Sequence, residues 1–371
     1  MKSYIYPIYI ILRNTKYMEK IVECVPNFSE GRNMETIGQI VSAIEEGEGF
    51  VRVLNVDPGE GANRTVITFA GSPEAVEQAA FRAARVACSL IDMRLHKGTH
   101  PRSGAVDVLP FVPVRGVSME QCVQMARRTA ERMYRELGIP CYCYEEAAFR
   151  PGRRNLAVCR SGEYEGLGAK LADPDRRPDF GPDIFTEEAA RSGASNVGAR
   201  EYLIAVNFNL NSGSVEIAQD IACAVREKGR QAVENGKVLR DGNGKAVMIP
   251  GRLKGCKAIG WYIEEYGFAQ VSMNITDINA TPLHKAFEAV SEEALRRGVR
   301  VTGTEIIGMV PLKVLTDAGQ YFTGIPASCS TDGDDSLIAA SIEAMGLDWN
   351  GPFVPESKIV EYALAHSLQQ Q

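Results

Sequence analysis

The chain has 371 residues, 45% of them hydrophobic and 24% charged, with a formal net charge of −6. That length buries a large core and favours two domains or subdomains. The acidic balance excludes broad nucleic-acid binding, which needs a basic face, so any positive patch is local and suited to a small anion.

The opening stretch, "MKSYIYPIYIILRNTKYMEK", has a basic start and a short apolar run. Pro7, the shortness of the run and the lack of a small-residue cleavage site argue against both a secretory signal and a membrane span. Residues 1–17 are therefore read as a disordered tail or an upstream-start artefact.

From there strands alternate with amphipathic helices, which predicts layered α/β structure. "KIVECVPNF" reads as a strand and "NMETIGQIVSAIEEG" as a helix. "FVRVLNVD" and "NRTVITFAG" read as two strands joined by a short turn. Ser72-Pro73 opens a helix that runs to about Ile91. "AVDVLPFVPV" is the next strand, Ser118 caps the helix that follows, and "IPCYCYE" is another strand with Cys141 and Cys143 on one face. Residues 171–200, rich in Pro, Gly, Asp and Arg, read as a linker beside a ligand cleft.

The second half repeats this grammar. "YLIAVNFNLNSG" echoes "IVECVPNFSEG", and Thr281-Pro282 opens a helix as Ser72-Pro73 does. The expected fold is α/β of the α+β type. It has two similar subdomains, 18–200 and 201–371, each a mixed or antiparallel sheet backed by helices, with a cleft between them. An extra hairpin is expected around Asp-Gly-Asn-Gly at 241–244. Nine cysteines, at 24, 88, 122, 141, 143, 159, 223, 256 and 329, include no Cys-x-x-Cys pair. Buried reduced thiols in a cytoplasmic protein account for them better than a disulfide framework.

Chemistry concentrates in "DMRLHKGTHPRSG", residues 92–104, which holds two of the four histidines. His96 and His100 have zinc-like spacing, but Gly98 and Pro101 break the helix that would align them. No nearby cysteine or HExxH glutamate completes a set, leaving Asp107 as the available third ligand. The acid–base reading asks for less: one imidazole carries a proton, Asp57 or Asp107 orients it, and Arg94, Lys97 and Arg102 hold substrate carboxylates. A merely solvated loop is the third reading. "GRLKGCK", 251–257, is a short basic run that on charge alone reads as a solvated edge, and His284 reads as a packing residue.

"VECVPNFSEG", "NRTVITF", "RLHKGTHPRSGAVDVLPFVPVRGV" and "GRLKGCKAIGWY" together resemble the formiminotransferase domain of the glutamate formimidoyltransferase and formimidoyltransferase-cyclodeaminase family, from about Glu19 past Leu315. The resemblance implies two similar α/β subdomains with a folate site between them. It implies transfer of a formimino group between N-formimino-L-glutamate and tetrahydrofolate in histidine degradation, without a metal. His100, in His-Pro-Arg, matches the family's catalytic histidine and Asp57 the carboxylate near it. His96 matches a site-lining histidine, with Arg94, Lys97 and Arg102 around the substrate. Folate-contacting segments map onto Gly181, Pro182, Phe185 and Gly193, and onto Gly251, Arg252, Leu253, Lys254, Lys257 and Ile259.

The linker after Phe185 departs from the animal enzymes in length, and 235–250 is an insertion ahead of a folate segment. A homodimer, a polyglutamylated folate and no nucleic-acid or membrane partner are expected. With no residues left for a cyclodeaminase domain, the product is expected to pass to a separate enzyme. Formyl transfer from 5-formyltetrahydrofolate, or folate binding without catalysis, are the alternatives.

Overall fold

The computed structural model describes residues 19–98, 100–234, 236–325 and 334–369. The expectations for residues 1–17 and for Cys329 lie outside them. Contacts divide the chain into two compact units, one running to Arg200 and the other Glu201–His366.

In the first unit, β1 (Ile21–Cys24) and β2 (Asn27–Phe28) form one strand interrupted at Pro26, which has no N–H for the ladder. α1 (Met34–Glu45) begins at Asn33, whose side chain accepts from the Glu35 and Thr36 amides. β3 (Val51–Gly59) and β4 (Arg64–Gly71) form a hairpin, followed by α2 (Pro73–Leu90) and β5 (Val106–Arg115). Ser72 occupies the N-cap of α2 without a side-chain cap bond, so Pro73 supplies the helix start there. α3 (Met119–Leu137) has a full capping box between Ser118 and Gln121 and ends at left-handed Gly138. Its buried residues, Cys122, Val123, Ala126, Thr129, Ala130 and Met133, recur at helical spacing and cover the sheet.

β6 (Cys141–Glu145), α4 (Leu156–Cys159), α5 (Leu167–Ala172), α6 (Glu187–Ser192) and β7 (Ser195–Ala199) complete the unit. The sheet runs β3, β4, the β1–β2 strand, β5, β7, β6. Pairings as far as β5 are antiparallel, and β5–β7 and β7–β6 are parallel. The period of two in β6 sorts its side chains: Cys141 and Cys143 enter the main core, and Tyr142 and Tyr144 a smaller one beneath α4 and α5. The stretch read as a linker is thus partly structural. β7 is wholly buried between β5 and β6, although its small residues, "SNVGA", give little strand signal.

The second unit places β8 (Ile204–Leu210), α7 (Val215–Val225), β13 (Cys256–Ile263), β14 (Phe268–Ile275), α8 (Leu283–Arg296) and β15 (Val301–Ile307) in an antiparallel sheet ordered β13, β14, β8, β15. The first unit has the same β-α-β-β-α-β succession and the same strand order, β3, β4, β1–β2, β5, so the echo in sequence is an echo in topology. The short strands β9 (Arg230–Gln231), β10 (Val233–Glu234), β11 (Lys237–Val238) and β12 (Met248–Ile249) form the added hairpin, with a turn in which the Asp241 side chain accepts from the Asn243 and Lys245 amides. α9 (Leu312–Thr323), α10 (Asp334–Met345), α11 (Pro355–Lys358) and α12 (Val360–Gln369) follow.

Among the described residues no helix is long and apolar enough to cross a membrane. The described cysteines are all free, and all but half-buried Cys223 are buried. Burial pushes the Cys24 and Cys141 thiols well up and Cys88 to about 12, so these are packing groups rather than nucleophiles.

Candidate active site

The His96–His100 loop leaves α2 and enters β5, and it is held from the turn between β3 and β4. Asn63 in that turn has φ +49°, a left-handed conformation that asparagine tolerates better than most residues. Its side-chain oxygen accepts from the Gly31 amide at 3.0 Å and its side-chain amide donates to the Lys97 carbonyl at 3.0 Å. A Cβ on Gly98 would sit 2.0 Å from the Ala62 carbonyl oxygen, so only glycine permits this close approach. Asn63→Ala is expected to lower stability by about 2–4 kcal/mol, from the lost bonds and the left-handed backbone together. The urea midpoint measures it, and turnover is expected to fall as the loop loosens.

On the far side, the Ala105 amide donates to the Ser192 carbonyl and the Ala194 amide to the Ser103 carbonyl. Gly193, with φ +70°, lies against this segment: a Cβ there would meet the Ser103 carbonyl oxygen at 2.2 Å. Packing against the histidine loop therefore leaves no room for a side chain at Gly193.

The two histidines have different surroundings. His96 is engaged at both nitrogens. Nδ1 accepts from Arg102 Nε at 3.2 Å, so Nε2 carries the hydrogen and donates to the Asn63 carbonyl at 2.9 Å. Burial holds its pKa below the ordinary 6.5, and the Arg102 guanidinium pushes the same way. His96 is a neutral bracket of the loop. His100 instead donates Nδ1–H to its neighbour's carbonyl, Pro101, at 2.7 Å, which leaves Nε2 as the basic nitrogen. Its pKa is also held below 6.5, first by burial and then by the Arg64 guanidinium. Arg160 adds to this, while the Pro101 carbonyl and Asp107 oppose it.

Asp107, 1% exposed on β5, accepts from the Ser103 amide at 2.8 Å and pairs with Arg160. The Asn196 side chain on β7 donates to its carbonyl at 2.9 Å. Asp57 is exposed on β3 and acts on Arg64, and it is not among the main charges acting on His100. Of the expected carboxylate anchors, Arg102 is buried and held by Glu165 at 2.6 Å and Glu163 at 3.4 Å. Arg94 pairs with Asp92 and Glu187, each at 2.6 Å. Lys97 is exposed. Sequence reading passed over Asn63, Arg64, Arg160, Glu165 and Asn196. The turn asparagine was the available signal, and the others carry none without the fold.

The remaining expected residues fall in two places. Gly181 and Pro182 follow Phe180, whose carbonyl accepts from the Cys141 amide, and Phe185 is exposed. In the second unit Gly251 packs against the Arg226 carbonyl, and Arg252 pairs with Glu292 and Glu293. The Leu253 amide donates to the Val225 carbonyl, and Lys254 is exposed. Lys257 and Ile259 line a pocket of about 540 Å³ with Arg226, Glu227, Lys228 and Ser272 among its other residues, three cations to one carboxylate. Among the described residues no three His, Cys, Asp or Glu side chains cluster as a metal site would require.

A neutral imidazole with one nitrogen left basic, in a loop under the influence of guanidinium groups, is chemically able to carry a proton beside an anionic group. Family comparison narrows the class. Residues 21–200 match the N-terminal subdomain of the formiminotransferase domain and residues 205–365 match the formiminotransferase domain that follows it. The chain is 40% identical to the glutamate formimidoyltransferase of Streptococcus pyogenes serotype M1, over 82% of this chain and 94% of that protein. It is also 40% identical to the glutamate formimidoyltransferase of Thermoplasma acidophilum, over 81% and 92%. With the formimidoyltransferase-cyclodeaminase of Rattus norvegicus it shares 45% identity over 95% of this chain. The matched part spans 62% of that longer protein. The chain belongs to the formiminotransferase family.

Proposed function

We propose that this protein transfers the formimino group of N-formimino-L-glutamate to tetrahydrofolate, giving 5-formiminotetrahydrofolate and L-glutamate, a step of histidine degradation. The observation that carries the reading is the His100 imidazole, fixed by the Pro101 carbonyl with Nε2 left basic, in a chain of this family. His100 takes the proton from N5 of tetrahydrofolate as that nitrogen bonds to the formimino carbon. The imidazolium then gives the proton to the glutamate nitrogen as its bond to carbon breaks. Atoms and charge balance without a metal ion. Asp107 opposes the cationic field on His100 and favours the transient imidazolium, while Asp57 acts on Arg64.

His96 and Arg102 support the loop, while Arg94 and Lys97 lie in the same stretch. The folate contacts belong to Gly181, Pro182, Phe185 and Gly193 and to Gly251–Ile259, where the pocket beside Lys257 and Ile259 offers cations and apolar surface suited to a polyglutamylated folate. A cytoplasmic setting accords with the free thiols, the protein acts as a homodimer, and a separate enzyme would complete the deamination.

The rival donor is 5-formyltetrahydrofolate with glutamate as acceptor. Initial rates with each pair of substrates, without added metal, decide between them. Formimino transfer is expected to be faster, and formyl transfer alone would overturn the reading.

A further inference from the structure

The arginines around the His100 loop differ in one respect. Arg94, Arg102 and Arg160 are each neutralised by carboxylates of the protein itself. Arg64, half-buried at the start of β4, forms no ion pair within 4.0 Å among the described residues, and its Nε–H is buried without a hydrogen-bond partner. A buried guanidinium donor without a hydrogen bond is costly, and Asp107 and Asp57 act on this guanidinium only from beyond ion-pair distance. Asn63, the residue before Arg64, holds His96 through its carbonyl and the Lys97 carbonyl through its side chain, so Arg64 stands at the root of the histidine loop, and it is the leading charge acting on His100.

The geometry points to Arg64 as the residue that receives the α-carboxylate of the glutamate donor. The inference rests on the formimino-transfer reading and extends it to donor recognition. In N-formimino-L-glutamate the nitrogen that leaves is bonded to Cα, and Cα carries the α-carboxylate. A group that delivers a proton to that nitrogen therefore has the α-carboxylate beside it. An arginine whose guanidinium is not already ion-paired is suited to receive a carboxylate, since its fork of donors is planar and permanently charged. The arginines predicted from the loop sequence are spent on Glu165, Glu163, Asp92 and Glu187.

Docking a carboxylate on Arg64 has a second consequence. It cancels the positive charge that most depresses the basicity of His100, leaving Arg160 and Asp107 as the facing charges. The imidazole then becomes a better base when the donor is in place.

The test compares binding of L-glutamate and of L-isoglutamine, in which the α-carboxylate is an amide, to the tetrahydrofolate-loaded protein. Wild type, Arg64→Lys and Arg64→Ala are measured beside their KM for N-formimino-L-glutamate. Wild type is expected to prefer glutamate by about 10- to 100-fold. Arg64→Ala is expected to lose that preference and raise the donor KM by a similar factor, with tetrahydrofolate affinity unchanged and Arg64→Lys in between. A glutamate preference that survives undiminished in Arg64→Ala, or an unchanged donor KM in that variant, overturns the proposal. If wild type transfers no formimino group yet shows an Arg64-dependent preference for glutamate, only the functional reading fails. If transfer proceeds and the preference is independent of Arg64, only this inference fails.

Discussion

His100→Ala is expected to lower turnover by about 10²- to 10⁴-fold, the usual worth of a positioned proton carrier, with tetrahydrofolate binding retained. The expectation follows from tautomer geometry. The Pro101 carbonyl at 2.7 Å fixes the hydrogen on Nδ1 and leaves Nε2 to work, whereas both nitrogens of His96 are already committed. His96→Ala is therefore expected to act mainly on stability, and the ratio of the two effects on kcat is the informative quantity. The same geometry sets the pH dependence. The base must be neutral, and burial with Arg64 holds its pKa below 6.5. The rate constant kcat/KM should rise to a plateau above pH 6.5, and should reach half of it at the lowered value, below 6.5. An acid limb centred above 6.5 in wild type, or one unmoved in the residual activity of His100→Ala, would contradict the assignment.

Arg153→Ala is expected to cost about 3–5 kcal/mol, the penalty for leaving a buried charge without its partner. The Arg153 and Asp179 side chains are 8% and 5% exposed and lie 2.6 Å apart. Asp179 also accepts from the Cys143 amide at 2.8 Å, and Arg153 donates to the Arg177 carbonyl. Loss of the guanidinium leaves the carboxylate buried beside β6, and the backbone it pins leads directly into Gly181 and Pro182. A lower urea midpoint and weaker tetrahydrofolate binding should therefore appear together. The double substitution Arg153→Met with Asp179→Leu should recover much of the stability, because an apolar pair needs no charge compensation. Folate binding is not expected to return in full, since the Cys143 amide loses its acceptor.

Much of this architecture was legible because local signals agreed with the tertiary answer. Ser118 announced α3, where the structure adds Gln121 to complete a capping box, and the alternation of "IPCYCYE" put Cys141 and Cys143 on one face, which the structure buries in the main core. The repeated Asn-Phe strand pointed to two similar subdomains, and the structure adds that they share a strand order. β7 escaped because "SNVGA" lacks β-branched or aromatic bulk, and only parallel pairing with β5 and β6 makes it a strand.

The histidine loop itself was visible, but the use of its cations was not. Arg102 looked like a free anchor because Glu165 lies 63 residues away. Arg64 looked like an ordinary strand opener, although it is the arginine of this cluster without an ion pair among the described residues. Side chains meet at such sites through the fold, and spacing along the chain carries no trace of it.

The most direct test of the account is a single turnover with N-formimino-L-glutamate labelled with ¹³C at the formimino carbon. Enzyme and tetrahydrofolate are in excess, no metal is added, and the label is followed by NMR in wild type and His100→Ala. Movement of the label from the glutamate nitrogen to N5 in wild type, with the transfer rate collapsed in a His100→Ala protein that still binds tetrahydrofolate, is the predicted result. A label that stays on glutamate in the wild-type protein with tetrahydrofolate bound, or that moves equally fast without His100, would contradict it.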